Sequence, residues 1–174
     1  MIFKGLKNRA LKKGIEVALK KRKPYTGVKQ LKTLAVLIDA SNGVNILSLV
    51  KVADELGVKS SNLKVVAYKD DYNEKEGNIG EANYFNDKGI SNNGVIRSSF
   101  LEDFVSKDYD VLINFCKEDH LLINYLAATS KAKFKIGFDE VDNRINDLII
   151  ASSKGDTNLF IAELKKYLKI LNII

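Results

Sequence analysis

Cationic side chains are concentrated at the start of the chain. The first 32 residues contain eleven lysines and arginines but a single acid, Glu16, which is a net charge of +10. Because the formal net charge of the whole chain is +6, the remainder must carry a charge of −4. This division between a basic segment and a mildly acidic body favours a polyanionic partner. Both nucleic acid and an anionic membrane surface meet that description.

These lysine and arginine side chains could bind phosphate groups. We predict that the segment binds RNA, with ribosomal RNA or a ribosomal subunit as the partner and without specificity for a DNA sequence. Phe3 and Tyr25 are its only aromatic residues, so base stacking should contribute little. The predicted RNA-binding residues are Lys4, Lys7, Arg9, Lys12, Lys13, Lys20, Lys21, Arg22 and Lys23. In the alternative, the same segment lies on a membrane surface with its apolar side chains in the lipid.

Two loops contain residues that could bind a small ligand. Asp39, Ser41 and Asn42 follow an apolar run, and the amides that open the next helix could hold an anion there; otherwise Ser41 or Asn42 only caps that helix. In the second loop, Glu118 and His120 could act as acid and base while Lys117 binds an anion. Alternatively, Asp119 is the N-cap of the following helix and these charges only stabilise it. A small enzyme or nucleotide binder that uses these loops therefore remains an alternative.

The motifs typical of cofactor binding or catalysis do not occur in the sequence. There is no G-x-G-x-x-G, no G-x-x-x-x-G-K-[ST] and no G-x-S-x-G pattern. One histidine and one cysteine are too few for a His/Cys zinc site within one chain, and the acidic turn of Asp139, Glu140 and Asp142 lacks the spacing of a calcium loop. We predict a protein without catalytic residues, cofactor or metal.

Helical periodicity predicts how the basic segment is built. A helix should run from about Phe3 to Arg22 and end before Pro24, because the residue that precedes proline is displaced from helical geometry. Its apolar residues form one row with a second row beside it: Phe3, Leu6, Ala10 and Val17, then Leu11, Ile15, Ala18 and Leu19. The protein's own sheet, a partner or lipid must cover these rows. We expect the segment to reach outside the compact part of the molecule.

The body alternates between continuous apolar runs and helical patterns. We predict strands at 33–39, 63–68, 82–85, 111–116, 134–138 and 147–151, and helices at 45–56, 100–105, 121–130 and 156–171. This order is typical of a doubly wound, mostly parallel α/β sheet of the Rossmann or flavodoxin-like kind. We divide the chain into a basic helix with its connector at 1–30 and an α/β sandwich domain at 31–174.

Composition restricts the class of protein further. With 45% hydrophobic and 29% charged residues, the chain is globular and not disordered. No run of 18 apolar residues is present, the start lacks the pattern of a secretory signal, and a lone thiol at Cys116 fits a reducing compartment. We expect a cytoplasmic protein in which Cys116 packs as a small hydrophobe.

One stretch resembles a known family. Tyr109–Asn114 and Leu121–Ala128, followed by Ala132–Phe138, are similar to the acceptor-side half of the heptosyltransferase-like glycosyltransferases, where a D-[LV]-[LV]-I-[ND] strand leads to a Leu- and Ala-rich helix and an [RK]-I-G-F strand. Those enzymes bind the sugar nucleotide with a second domain, which we expect to be missing. The resemblance therefore implies the fold of one half without the enzyme. The overall layout also resembles small uncharacterised bacterial α/β proteins.

Overall fold

The protein folds around one parallel sheet. The structure, a computed structural model, describes residues 2–41, 46–73, 82–116, 118–139, 141–151 and 156–174, without the side chains of Ile2 and Phe3. The six strands in these residues are β1 (Leu34–Asp39), β2 (Leu63–Tyr68), β3 (Ala82–Phe85), β4 (Val111–Phe115), β5 (Phe134–Phe138) and β6 (Leu148–Ile150). Every neighbouring pair is parallel, and the order across the sheet is β3-β2-β1-β4-β5-β6. This is the strand order of the Rossmann fold, so the predicted fold class is confirmed.

Helices cover both faces of the sheet. The described helices are α1 (Ile2–Lys21), α2 (Ile46–Glu55), α3 (Ser99–Ser106), α4 (Leu121–Thr129) and α5 (Thr157–Ile170). Side chains of α2 and α5 pack with Val36 and Ile38 of β1 on one face, whereas side chains of α1, α3 and α4 pack with Ala35 and Leu37 on the other. Each predicted strand and helix is confirmed to within one residue at the ends that the structure describes. The strands were predictable because continuous apolar runs are typical of strands that are buried on both faces.

The basic helix α1 belongs to the second layer. Leu11 and Ile15 are 1% and 5% exposed and share a buried cluster with Leu122 and Leu126 of α4. The expectation that this segment reaches outside the compact part of the molecule is therefore wrong: the protein's own helix covers it. The two predicted rows also differ, because Leu6 and Val17 of the first row are 54% and 42% exposed.

Polar contacts fix the end of α1 and the connector that follows. Arg22 forms a salt bridge of 2.6 Å with Asp147, next to β6, and donates a hydrogen bond of 2.8 Å to the carbonyl oxygen of Arg144. Further along, the Asp110 carboxylate accepts hydrogen bonds from the backbone amides of Lys32 and Thr33. The chain thus reaches β1 with its helix and its connector both attached to the sheet domain.

Candidate functional site

The solvent side of α1 presents a row of cations. Arg9, Lys13 and Lys20 are exposed, and their spacing places them within about 40° of one another around the helix axis, over a length of roughly 16 Å. Lys12 is exposed beside them. We refer to Arg9, Lys12, Lys13 and Lys20 as the cationic face. Lys4, Lys21 and Lys23 are also exposed and extend the positive charge towards both ends of the helix.

The cationic face keeps its charge. Within the described residues, none of its four members forms a salt bridge. Glu16, which lies among them, accepts a hydrogen bond of 2.8 Å from Nη2 of Arg144. Because Arg144 compensates that carboxylate, the face stays positive along its length.

Two predicted RNA-binding residues have partners inside the protein. Arg22 is held by Asp147 and the carbonyl of Arg144, as described above. Lys7 is 8% exposed and its Nζ donates to the carbonyl oxygen of Asp87. Burial lowers the pKa of Lys7, and the nearby charge of Arg97 lowers it further, against the opposite effect of Asp87. Neither residue belongs to the cationic face.

A groove lies beside Lys7, between the first turns of α1 and residues 87–97. It has a volume of about 380 Å³, and its lining includes Lys4, Lys7, Lys88 and Arg97 together with Asp87. Sequence reasoning missed Lys88 and Arg97. They stand about 80 positions from α1 along the chain and have no motif around them, so only the fold brings them next to it.

The loop after β1 forms a local turn. The Asp39 carboxylate, 7% exposed at the carboxyl end of the strand, accepts a hydrogen bond of 3.0 Å from the amide of Ser41. Ser41 itself is exposed. Asn42, the third predicted ligand residue here, lies outside the described residues. The Asp39–Ser41 contact is the kind that stabilises a turn.

The loop after β4 caps α4. The N-cap residue is His120, whose Nδ1 accepts a long bond of 3.5 Å from the amide of Ile123, and the imidazole stacks on Tyr68 at 4.2 Å between ring centroids. The prediction that Asp119 is the N-cap is therefore wrong: its carboxylate accepts instead from the side-chain amide of Asn124. Glu118 is exposed, and Lys117 lies outside the described residues.

Cys116 is buried, as expected of a residue that packs as a small hydrophobe. It is fully buried, and its Sγ lies 3.0 Å from the carbonyl oxygen of Glu118. Burial raises the pKa of the thiol to about 12, and the charges of Asp39 and Asp119 raise it further. A thiol with this pKa stays protonated at neutral pH and is a poor nucleophile.

The acidic turn after β5 binds an arginine of the same turn. Asp142 accepts from Nε and Nη2 of Arg144 at 2.9 and 2.7 Å, Asp139 is exposed, and Glu140 lies outside the described residues. No group of three His, Cys, Asp or Glu side chains in the described ranges could hold a metal ion. None of the described helices has the length and apolar character needed to cross a bilayer.

Comparison with known proteins identifies a family whose function is unknown. Residues 7–171 match a family described as "Family of unknown function (DUF6913)". No curated protein and no solved structure matches the chain. The expected likeness to uncharacterised proteins is thus supported, whereas a relation to the heptosyltransferase-like glycosyltransferases is not shown.

Proposed function

We propose that this chain, which belongs to the DUF6913 family of unknown function, is a non-enzymatic cytoplasmic protein that binds RNA, with the ribosome as its partner. The observation that carries the proposal is the cationic face of α1: four exposed cations on one side of a helix whose other side is anchored on α4. Anchored cations lose less conformational freedom on binding than those of a disordered arm.

Phosphate contacts supply the binding in this proposal. Each cation that neutralises a phosphate releases counterions, so the affinity should fall steeply with salt. Stacking on Tyr25 is disfavoured because its ring already packs against Phe134 at 4.6 Å between centroids and its hydroxyl accepts from the amide of Val28. Binding should therefore be independent of RNA sequence.

Membrane association is the second candidate, and the burial of α1 disfavours it. Leu11 and Ile15, two of the side chains that would enter lipid, are packed against α4. Insertion of this row would first require α1 to leave α4. Binding to phosphates through the cationic face requires no such rearrangement.

The strand-end loops support a catalytic function less well. Asp39 closes a turn with Ser41, and His120 caps α4 while it stacks on Tyr68. These contacts give both side chains a structural role. The resemblance of residues 109–138 to one half of a glycosyltransferase implies a fold and supplies no reactive group.

A gel-shift titration with a ribosomal RNA fragment between low and high salt tests the proposal. The variant Arg9→Gln/Lys13→Gln/Lys20→Gln removes three charges from the cationic face. The matched control Lys51→Gln/Lys59→Gln/Lys169→Gln removes three exposed lysines that do not belong to α1, two of them from α2 and α5 on the other face of the sheet.

We expect the variant to bind more weakly and to reduce the slope of log K against log salt by about 2, whereas the control stays close to wild type. Equal losses in the two variants, or a flat salt response in the wild type, would contradict RNA binding through α1. Co-sedimentation with ribosomal subunits at low salt, lost at high salt, is the expected result in cell extract. Pelleting with anionic vesicles but not with ribosomes would favour the membrane.

A further inference from the structure

A second cavity adjoins the groove beside α1. The second cavity has a volume of about 610 Å³ and is bounded by Tyr84, Phe100 and Asn83 among others. Lys88 and Arg97 line both spaces. The two spaces are thus neighbours in one region beside the edge strand β3, with further cations in the first and aromatic and amide side chains in the second.

Among the described residues, positive side chains outnumber negative ones at the cationic end of this region. Lys4, Lys7, Lys88 and Arg97 line the groove, and in the described part of the chain none of them forms a salt bridge. Asp87 is the acid in its lining, and its carboxylate also accepts a hydrogen bond of 3.2 Å from the hydroxyl of Tyr68. The described lining residues thus include four cations and one carboxylate, a formal excess of three positive charges.

The burial of Lys7 makes this excess of positive charge unfavourable for the stability of the folded protein. Its side chain is buried, and its Nζ donates to a backbone carbonyl rather than to a carboxylate. Burial of an ammonium destabilises the folded protein, and here the favourable charge of Asp87 is opposed by the charge of Arg97. An anion in the groove would supply the missing charge, and Arg97 could bind two of its oxygens at once because the guanidinium is a planar fork.

We propose that the groove is a binding site for a phosphomonoester and that the adjoining cavity takes the nucleoside attached to it. A phosphomonoester carries about −1.5 to −2 charges at neutral pH and three acceptor oxygens, which suits this cluster better than the single charge of a phosphodiester. The adjoining volume lies in the usual range for small-molecule sites, which is about 300–1,000 Å³.

This inference deepens the proposed function, on which it rests in one respect. If the protein binds RNA, the ligand is the phosphorylated 5′ end of the RNA, which enters the groove. A free nucleoside monophosphate offers the same chemistry. The experiment therefore has an arm for each source.

The test compares two RNA oligonucleotides of identical sequence, one with a 5′-phosphate and one with a 5′-hydroxyl. We expect wild-type protein to bind the phosphorylated oligonucleotide about tenfold more tightly, the factor that one charge-assisted hydrogen bond supplies. In Lys88→Gln/Arg97→Gln, where both side chains are exposed and folding should be unaffected, the two affinities should become equal. In Arg9→Gln/Lys13→Gln/Lys20→Gln, both affinities should fall while their ratio is kept.

Calorimetric titration with adenosine monophosphate and with inorganic phosphate forms the second arm. Binding of the monophosphate that is lost in Lys88→Gln/Arg97→Gln but kept in Lys51→Gln/Lys59→Gln supports the site even if RNA binding fails, and assigns it to a free nucleotide. Equal affinity for the two oligonucleotides together with no binding of the monophosphate overturns the inference, whether or not the cationic face binds RNA. A preference that survives in Lys88→Gln/Arg97→Gln overturns it as well.

Discussion

Gly14 of α1 lies directly against the ring of Tyr125 of α4, so close that a Cβ at position 14 would stand 2.4 Å from Cε2 of the tyrosine. The hydroxyl of Tyr125 donates to the carbonyl oxygen of Gly94 at 2.9 Å, which holds the ring in place. A glycine in a helix costs about 1 kcal/mol relative to alanine. Here the glycine is used because it lets the basic helix approach α4 closely.

Substitution of this glycine should loosen the attachment of α1. We expect Gly14→Ala to lower the free energy of unfolding by about 1–3 kcal/mol, because the new methyl group displaces the Tyr125 ring and this outweighs the better helix propensity of alanine. Gly5→Ala is the matched control. Nothing lies within 4 Å of a Cβ at Gly5, so this substitution should stabilise the protein by about 0.5–1 kcal/mol. Urea unfolding of the two variants checks the prediction, and stabilisation by both would contradict the packing of α1 on α4.

For the helix α1, the sequence predicts the bounds but not which apolar row is buried. Periodicity and Pro24 predicted its bounds to within one residue, because these signals are local. Periodicity also predicted two neighbouring apolar rows, but it could not decide which one is buried. Leu11 is buried and Leu6 is not, because Gly14 and Tyr125 set the position at which α1 crosses α4. That crossing depends on residues more than 100 positions apart in the chain.

The candidate site was predictable only in part, for the same reason. The excess of charge in the first 32 residues can be counted, and it pointed to the cations of α1. Lys7 and Arg22 contribute to that count although both are bonded within the protein. Lys88 and Arg97 are ordinary cations in the sequence, and only the position of residues 87–97 beside α1 gives them a place in the groove. Asp119 had the residue type of an N-cap, but His120 occupies that position.

Removal of the carboxylate on the cationic face should strengthen RNA binding. In Glu16→Gln, one negative charge leaves the surface between Lys13 and Lys20, and Arg144 loses one of its two acidic partners. We expect a rise in affinity of about twofold to fivefold at low salt, with a smaller gain at high salt because the effect is electrostatic. Glu163→Gln on α5 changes the net charge equally and should have little effect. The gel-shift titration described above measures both, and an equal gain in the two variants would show that only net charge matters.

Gly137 of β5 packs against a buried amide and should not tolerate a side chain. A Cβ at this position would lie 2.3 Å from Nδ2 of Asn146. We expect Gly137→Ala to lower the free energy of unfolding by about 1–3 kcal/mol. Within the described residues, the side-chain amide of Asn146 has no hydrogen-bond partner, so its removal costs little.

A second substitution tests the cause of that loss. Gly137→Ala/Asn146→Ala should recover most of the stability lost in Gly137→Ala, because the colliding side chain is gone. The double-mutant cycle then gives a coupling free energy of about 1 kcal/mol or more between the two positions. Additive effects, with no recovery, would mean that something other than Asn146 excludes a side chain from position 137.

Lys135 of β5 should make stability rise with pH. Its side chain is 3% exposed, and its Nζ donates to the carbonyl oxygens of Ala127 and Ala128 at 2.8 and 3.1 Å, at the end of α4. Burial lowers the pKa of Lys135 to about 8, and the charge of Arg22 lowers it further against the opposite effect of Asp147. In the unfolded chain the pKa returns to 10.5.

Between about pH 8 and pH 10.5 the unfolded chain therefore binds more protons at this site than the folded protein does, so the free energy of unfolding increases with pH in that window. Below this pH window, the lysine is charged in both states and the cost of its burial is constant.

The substitution Lys135→Met removes this titration. We expect the difference in unfolding free energy, wild type minus Lys135→Met, to rise by on the order of 1–2 kcal/mol between about pH 8 and pH 10. Burial raises the pKa values of Tyr68 and Tyr109, which work in the opposite direction above about pH 10, but both tyrosines are present in the two proteins and cancel in the difference. Urea unfolding at several pH values measures that difference, and a flat or falling profile would show that Lys135 stays charged throughout the window.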